Sequence, residues 1–155
     1  MLRLPRFILL LAFGSLSLAA CSQDEAPSQS PAKIEISEAW ARETPQGAPN
    51  AALYLTIANE GDIDDRLLSV ATDLAAHAGI HSTSEEDGMM RMRSVEALRI
   101  PARETISLAP GALHIMLMGL EKPLVKGDEI SINLIFEESG EQMIRIPVLG
   151  MGERP

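Results

Sequence analysis

Thiol chemistry is almost missing from this chain, whose only cysteine among 155 residues is Cys21. A disulfide framework is therefore excluded, and a hydrophobic core must hold any exported domain together. A blue-copper centre is excluded for the same reason, because its His₂Cys set needs a thiolate and the one thiol stands at the N-terminus. Aromatics are nearly as scarce, at one Trp, one Tyr and three Phe. Two of the phenylalanines, Phe7 and Phe13, fall in the N-terminal apolar run, which leaves Trp40, Tyr54 and Phe136. The core must come from Leu, Ile, Val and Ala. Positive charge is in short supply too, with 13 basic against 22 acidic residues. Such a surface is repelled by nucleic acid and anionic headgroups, so no nucleic-acid partner is expected.

What is present begins with an export signal. Arg3 and Arg6 precede the apolar run FILLLAFGSLSLAA, which ends at Ala20. Fourteen helical residues span roughly 21 Å, short of the ~30 Å hydrocarbon core, so the run makes a poor permanent span. Leu18-Ala19-Ala20-Cys21 resembles a lipobox, where cleavage precedes the cysteine and its sulfur is lipidated. The plainer alternative is an ordinary secretory signal followed by a free thiol. Ser22 in the next position resembles lipoproteins sorted to the outer membrane. Without Arg3 and Arg6 the balance is 11 basic to 22 acidic residues, a charge of −11.

The chain divides into a signal (residues 1–20), a lipidated cysteine with flexible linker (21–33), a β-domain (34–150) and a short tail (151–155). The linker is rich in Ser, Pro, Gln and charge, with no apolar period. Strands are expected at 34–41, 51–59, 66–72, 79–83, 89–94, 105–108, 112–118, 129–137 and 142–149. Ser84–Gly88 reads as a hairpin loop, and Asp73–Ala78 as a possible helical turn. Around nine short strands separated by turn residues predict an all-β antiparallel Greek-key barrel or sandwich.

Methionine and histidine are unevenly placed. Five of the eight methionines fall between Met89 and Met118. His81 is followed after ten residues by Met92, then after twenty-one by His114, with Met116 two positions on. On a strand, residues two apart share a face, so His114, Met116 and Met118 line one side. Met90 and Met92 do the same, and a hairpin around Ser84–Gly88 would bring His81 and Met92 to the other half-site. Imidazole with thioether, and no carboxylate or thiolate, suits Cu(I) better than harder ions. Met90 and Met118 are possible secondary ligands. His77 lies outside the spacing and reads as a structural hydrogen-bonder. A single methionine in an apolar strand is more often core filler, and for the full set spacing alone leaves that alternative open.

This pattern resembles the periplasmic copper chaperones of the PCuAC type, whose signature is His, ten residues, Met, twenty-one residues, His-x-Met. His81, Met92, His114 and Met116 meet it without a gap. Ala39-Trp40-Ala41-Arg42, Gly47-Ala48-Pro49-Asn50, Glu86-Asp87-Gly88 and Pro110-Gly111 also match the family's wording, so the likeness runs over about residues 34–149. The resemblance implies a cupredoxin-like barrel holding one Cu(I) through those four residues, with no enzymatic activity. It implies periplasmic delivery to an apo copper protein, such as a cytochrome c oxidase subunit or an assembly factor. The lipobox is a variation on the family's usual soluble form and implies a chaperone that works while anchored. Two departures stand out. Ser82-Thr83-Ser84 replaces a further Met found in many members, and the His/Met-rich tail of some members is replaced by Gly150–Pro155, leaving a second, Cu(II) site without support. A copper-scavenging lipoprotein with no delivery role, or a structural β-sandwich lipoprotein, would share much of this sequence.

Overall fold

Ten strands carry the fold in a computed structural model that describes residues 29–155. The signal segment, Cys21 and linker residues 22–28 lie outside the described residues. In chain order the strands are β1 (Ile34–Arg42), β2 (Asn50–Asn59), β3 (Asp65–Ala71), β4 (Ala75–Glu86) and β5 (Met89–Val95). There follow β6 (Leu98–Ile100), β7 (Thr105–Leu108), β8 (Leu113–Leu120), β9 (Glu129–Phe136) and β10 (Glu141–Leu149). Among the described residues there is no helix long and apolar enough to cross a membrane.

The strand order is β5-β4-β8-β2-β1-β10-β9-β3-β6, with β7 also paired to β2. Alternation explains which way each strand faces. Along β9, Ile130, Ile132, Leu134 and Phe136 are buried while Glu129 and Ser131 are exposed. Leu53, Leu55, Ile57, Ile80, Ile115 and Leu117 meet that row from the β4-β8-β2 side and complete one core. The largest fully buried side chains are all Leu, Ile or Val, as the shortage of aromatics requires.

The all-β cupredoxin-like expectation holds, with three corrections. One pair is parallel: β1 runs alongside β10 at Ala41↔Val148 and Arg42↔Leu149. It joins the two halves of the sheet. Asp73–Ala78 is not a helical turn, because β4 already begins at Ala75, where pairing with Leu120 on β8 opens a ladder that continues to Ser82. A partner edge along the whole segment overrides the helical leaning of its alanines. β6 escaped sequence reading because three residues are too few to show a period; it forms only as an edge against β3.

A bulge in β1 prepares the surroundings of the candidate site. Ser37 pairs with Thr56 and Trp40 with Tyr54, so Glu38 and Ala39 together oppose one residue of β2. Glu38 adopts a positive φ of 49° there. The extra residue turns Trp40 onto the outer face beside Tyr54 and leaves Ala41 in the core.

Candidate metal centre

β8 lies inside the sheet, hydrogen-bonded to β4 on one side and β2 on the other. Side chains on such a strand start from a backbone held on both edges, which favours a preorganised half-site. Its outward residues are His114, Met116 and Met118, and its inward residues Ile115 and Leu117 are fully buried. β4 adds His81 directly opposite His114, Gly79 opposite Met116, and His77 opposite Met118. β5 adds Met92 opposite Thr83 and Met90 opposite Glu85, across a hairpin closed by Asp87 (φ 53°) and Gly88 (φ 75°). That turn is tighter than the expected Ser84–Gly88 loop, because both of its residues take the left-handed conformation of a two-residue hairpin. Cross-strand partners share a face, so His81, Met92, His114 and Met116 all project from one side of three adjacent strands.

The imidazoles of His81 and His114 are 6.1 Å apart between ring centroids, with planes inclined by 25°. A metal–nitrogen bond of about 2 Å puts a ring centroid roughly 3.2 Å from a bound ion, so this spacing lies within the span of one shared ion. His114 is only 5% exposed. Its Nδ1 stands 3.0 Å from the Ala112 carbonyl oxygen and donates its proton there, which leaves Nε2 with a free lone pair. Burial, reinforced by the His114 ring beside it, holds the His81 pKa below the ordinary histidine value. The lowered pKa favours the neutral His81 imidazole, the form that binds metal.

Gly79 shapes the space between these groups. A Cβ placed on it would lie 3.5 Å from His81 Nε2 and 4.0 Å from the Met118 ε-methyl. The missing side chain therefore leaves a small hollow toward which His81 and Met118 both lean. Among the described residues, no three His, Cys, Asp or Glu side chains gather as a metal site. The other soft donors facing the two imidazoles are the thioethers of Met92 and Met116.

The methionines are poorly explained as core filler. Met89, Met90 and Met92 are 56%, 62% and 49% exposed. Met116 and Met118 are half-buried on the outer face, away from the aliphatic core. Of the two possible secondary ligands, Met118 sits beside His81 across Gly79, whereas Met90 is displaced four residues along the hairpin toward its tip. His77 makes no side-chain hydrogen bond among the described residues and is exposed on the same face as His81, contrary to its expected structural role. Strand parity counted back from His81 finds both His77 and Gly79 once β4 is known to start at Ala75.

An aromatic cluster borders the site. Trp40 and Tyr54 pack with ring centroids 4.6 Å apart, and the Arg42 guanidinium lies 5.6 and 5.7 Å from their centroids. Tyr54 follows Leu53, the partner of Ile115, and so shares the face that carries His114. Nothing in the sequence spacing of Trp40, Arg42 and Tyr54 reveals a packed triad.

The family model of LpqE-like lipoproteins matches residues 34–148. The chain belongs to the LpqE-like lipoprotein family. A protein of Leifsonia xyli subsp. xyli (strain CTCB07) that carries the name lipoprotein Lxx21020 is 32% identical over 139 residues, covering 86% of this LpqE-like chain and 82% of its own. Solved structures of PCuAC domains share the fold. The copper-bound PCuAC domain from PmoF2 is 26% identical with a TM-score of 0.67, covering 79% of this chain and 97% of that one. CuI-DR1885 from Deinococcus radiodurans is 28% identical with a TM-score of 0.53, covering 85% and 84% respectively. The resemblance to PCuAC-type proteins read from the His/Met spacing is thus matched by the architecture of the whole domain.

Proposed function

We propose that this LpqE-like chain is a non-enzymatic copper chaperone that holds one Cu(I) through His81, Met92, His114 and Met116. The observation that carries the reading is the convergence of two imidazoles and two thioethers on one outer face, with no anionic donor in the set. Four neutral donors leave the site with the single positive charge of the ion. Such a set favours Cu(I), while Cu(II) would lack hard or anionic ligands. The copper-bound PCuAC domain from PmoF2 and CuI-DR1885, both alike in fold, support the same cargo.

A carrier must release what it binds. Met92 sits on the edge strand of the sheet and is half exposed, so an acceptor can reach this ligand first while His114 stays buried. Lipidation at Cys21 would tether the carrier to the periplasmic face of a membrane, the outer membrane by the Ser22 signal, in keeping with a family of lipoproteins. The acceptor is an apo copper protein, with the copper centre of cytochrome c oxidase the destination that the PCuAC resemblance implies.

Anaerobic titration of the full chain with Cu(I) against a chromogenic chelator tests binding. One tight equivalent is expected, lost in His114→Ala and retained in Met143→Ala; equal loss in both would sink the ligand assignment. Incubation of the loaded protein with an apo oxidase subunit tests delivery. Transfer no faster than release to a chelator would favour copper storage instead.

A further inference from the structure

We propose that His77 and Met118 form a second Cu(I) station beside the first, at which the ion is accepted or handed on. The inference rests on the proposed Cu(I) site at His81, Met92, His114 and Met116 and extends it along the same face. His77 on β4 and Met118 on β8 are direct cross-strand partners, one register step beyond the Gly79–Met116 pair. Partners of this kind have Cβ atoms about 4.5–5.5 Å apart, within reach of one ion bridging an imidazole nitrogen and a thioether sulfur.

Three features separate this pair from incidental neighbours. His77 is exposed and has no hydrogen-bonding partner among the described residues, so its ring is free to turn toward Met118. Met118 is half-buried between two histidines: His77 across the ladder and His81 across the hollow over Gly79. The residue completing the row is Asn50, opposite Met118 on β2, which brings no competing charge. The pair lies one register step beyond Met116, so an ion passing between the two sites has a short path along one face. With only one imidazole and one thioether, the station holds copper more weakly than the four-donor site, as a transfer position must. Soft neutral donors again select Cu(I).

The test is anaerobic titration of the full chain with Cu(I) alone, followed by NMR of methionine ε-methyl and histidine ring resonances. The first equivalent is expected to move His81, His114, Met92 and Met116. A second, weaker equivalent then moves His77 and Met118. His77→Ala abolishes the second equivalent and leaves the first in place, and Met118→Leu abolishes the second. A first equivalent without a second overturns this proposal alone, as does a second equivalent that survives both substitutions. Loss of the first equivalent in Met118→Leu would make Met118 a ligand of the main site and also overturn it. Failure to bind even one equivalent overturns the chaperone reading, and this station with it.

Discussion

Replacing Gly79 by alanine should make the copper-free protein more stable and a worse copper binder. Gly79 lies in the middle of β4, and its φ is not in the left-handed region, so alanine fits the backbone. The added methyl would sit 3.5 Å from His81 Nε2 and 4.0 Å from the Met118 methyl, ordinary contact distances that impose no strain. Glycine inside a strand costs about 0.5–1 kcal/mol relative to alanine, so copper-free Gly79→Ala should gain roughly that much. For a domain of this size the thermal midpoint rises by about 2–6 °C. The same methyl occupies the hollow between the His81 ring and the β8 thioethers, and an ion there would have to move away from one of its ligands. Disturbing groups that orient metal ligands typically costs 10–100-fold in affinity, about 1.4–2.7 kcal/mol. Thermal melting of the metal-free protein and chelator competition for Cu(I) read the two effects separately. A raised midpoint with unchanged affinity would show that the ion does not use the space over Gly79.

Met92→Leu should leave the melting temperature almost unchanged, since substitutions at exposed positions stay within about 0.5 kcal/mol, yet weaken Cu(I) binding strongly; unchanged affinity in chelator competition would remove Met92 from the ligand set. Copper affinity should be level above about pH 6.5 and fall only at lower pH, because the depressed pKa of His81 delays competition by protons. Melting of the metal-free protein should show the matching sign: the unfolded chain takes up the His81 proton first, so stability declines as pH drops from the ordinary histidine value through the lower folded one. An affinity already falling between pH 8 and 7 would contradict both statements. Asp65→Ala should lower stability by about 2–5 kcal/mol, since the buried carboxylate accepts hydrogen bonds from the Arg66, Glu138 and Ser139 backbone amides and the Ser139 hydroxyl. Burial works to raise the Asp65 pKa, but those hydrogen bonds outweigh it and hold the pKa below the usual aspartate value. Its contribution is therefore present above the unfolded pKa and lost as pH falls through the folded one. Circular-dichroism melts of wild type and variant that remain parallel from pH 7 to pH 3 would refute this.

Most strands were legible because their inner faces are built from β-branched and aliphatic residues at period two. β9 shows this most clearly, and its predicted and observed limits differ by one residue. What periodicity could not supply was pairing. Nothing local says that β1 and β10 meet in parallel, since that contact depends on how the two halves of the sheet close. β4 was read too short at both ends for a related reason: its alanines and Ser84–Glu86 lack a strand period of their own and are held by β8 and β5. That error hid the place of His77. The four residues of the His/Met spacing were visible in sequence and lie on one face, but the distance between the two imidazoles comes only from register. The Ala112 carbonyl that orients His114 was invisible, because a backbone oxygen leaves no mark in residue identity. Gly79 was invisible for the opposite reason: its role is to lack a side chain.

X-ray absorption at the copper edge of anaerobically loaded protein tests the central claim most directly. One Cu(I) held by two histidines and two methionines predicts two nitrogen and two sulfur neighbours, with one sulfur lost in Met92→Leu and one nitrogen lost in His114→Ala. A shell of oxygen and nitrogen without sulfur, or one that neither substitution changes, would contradict it.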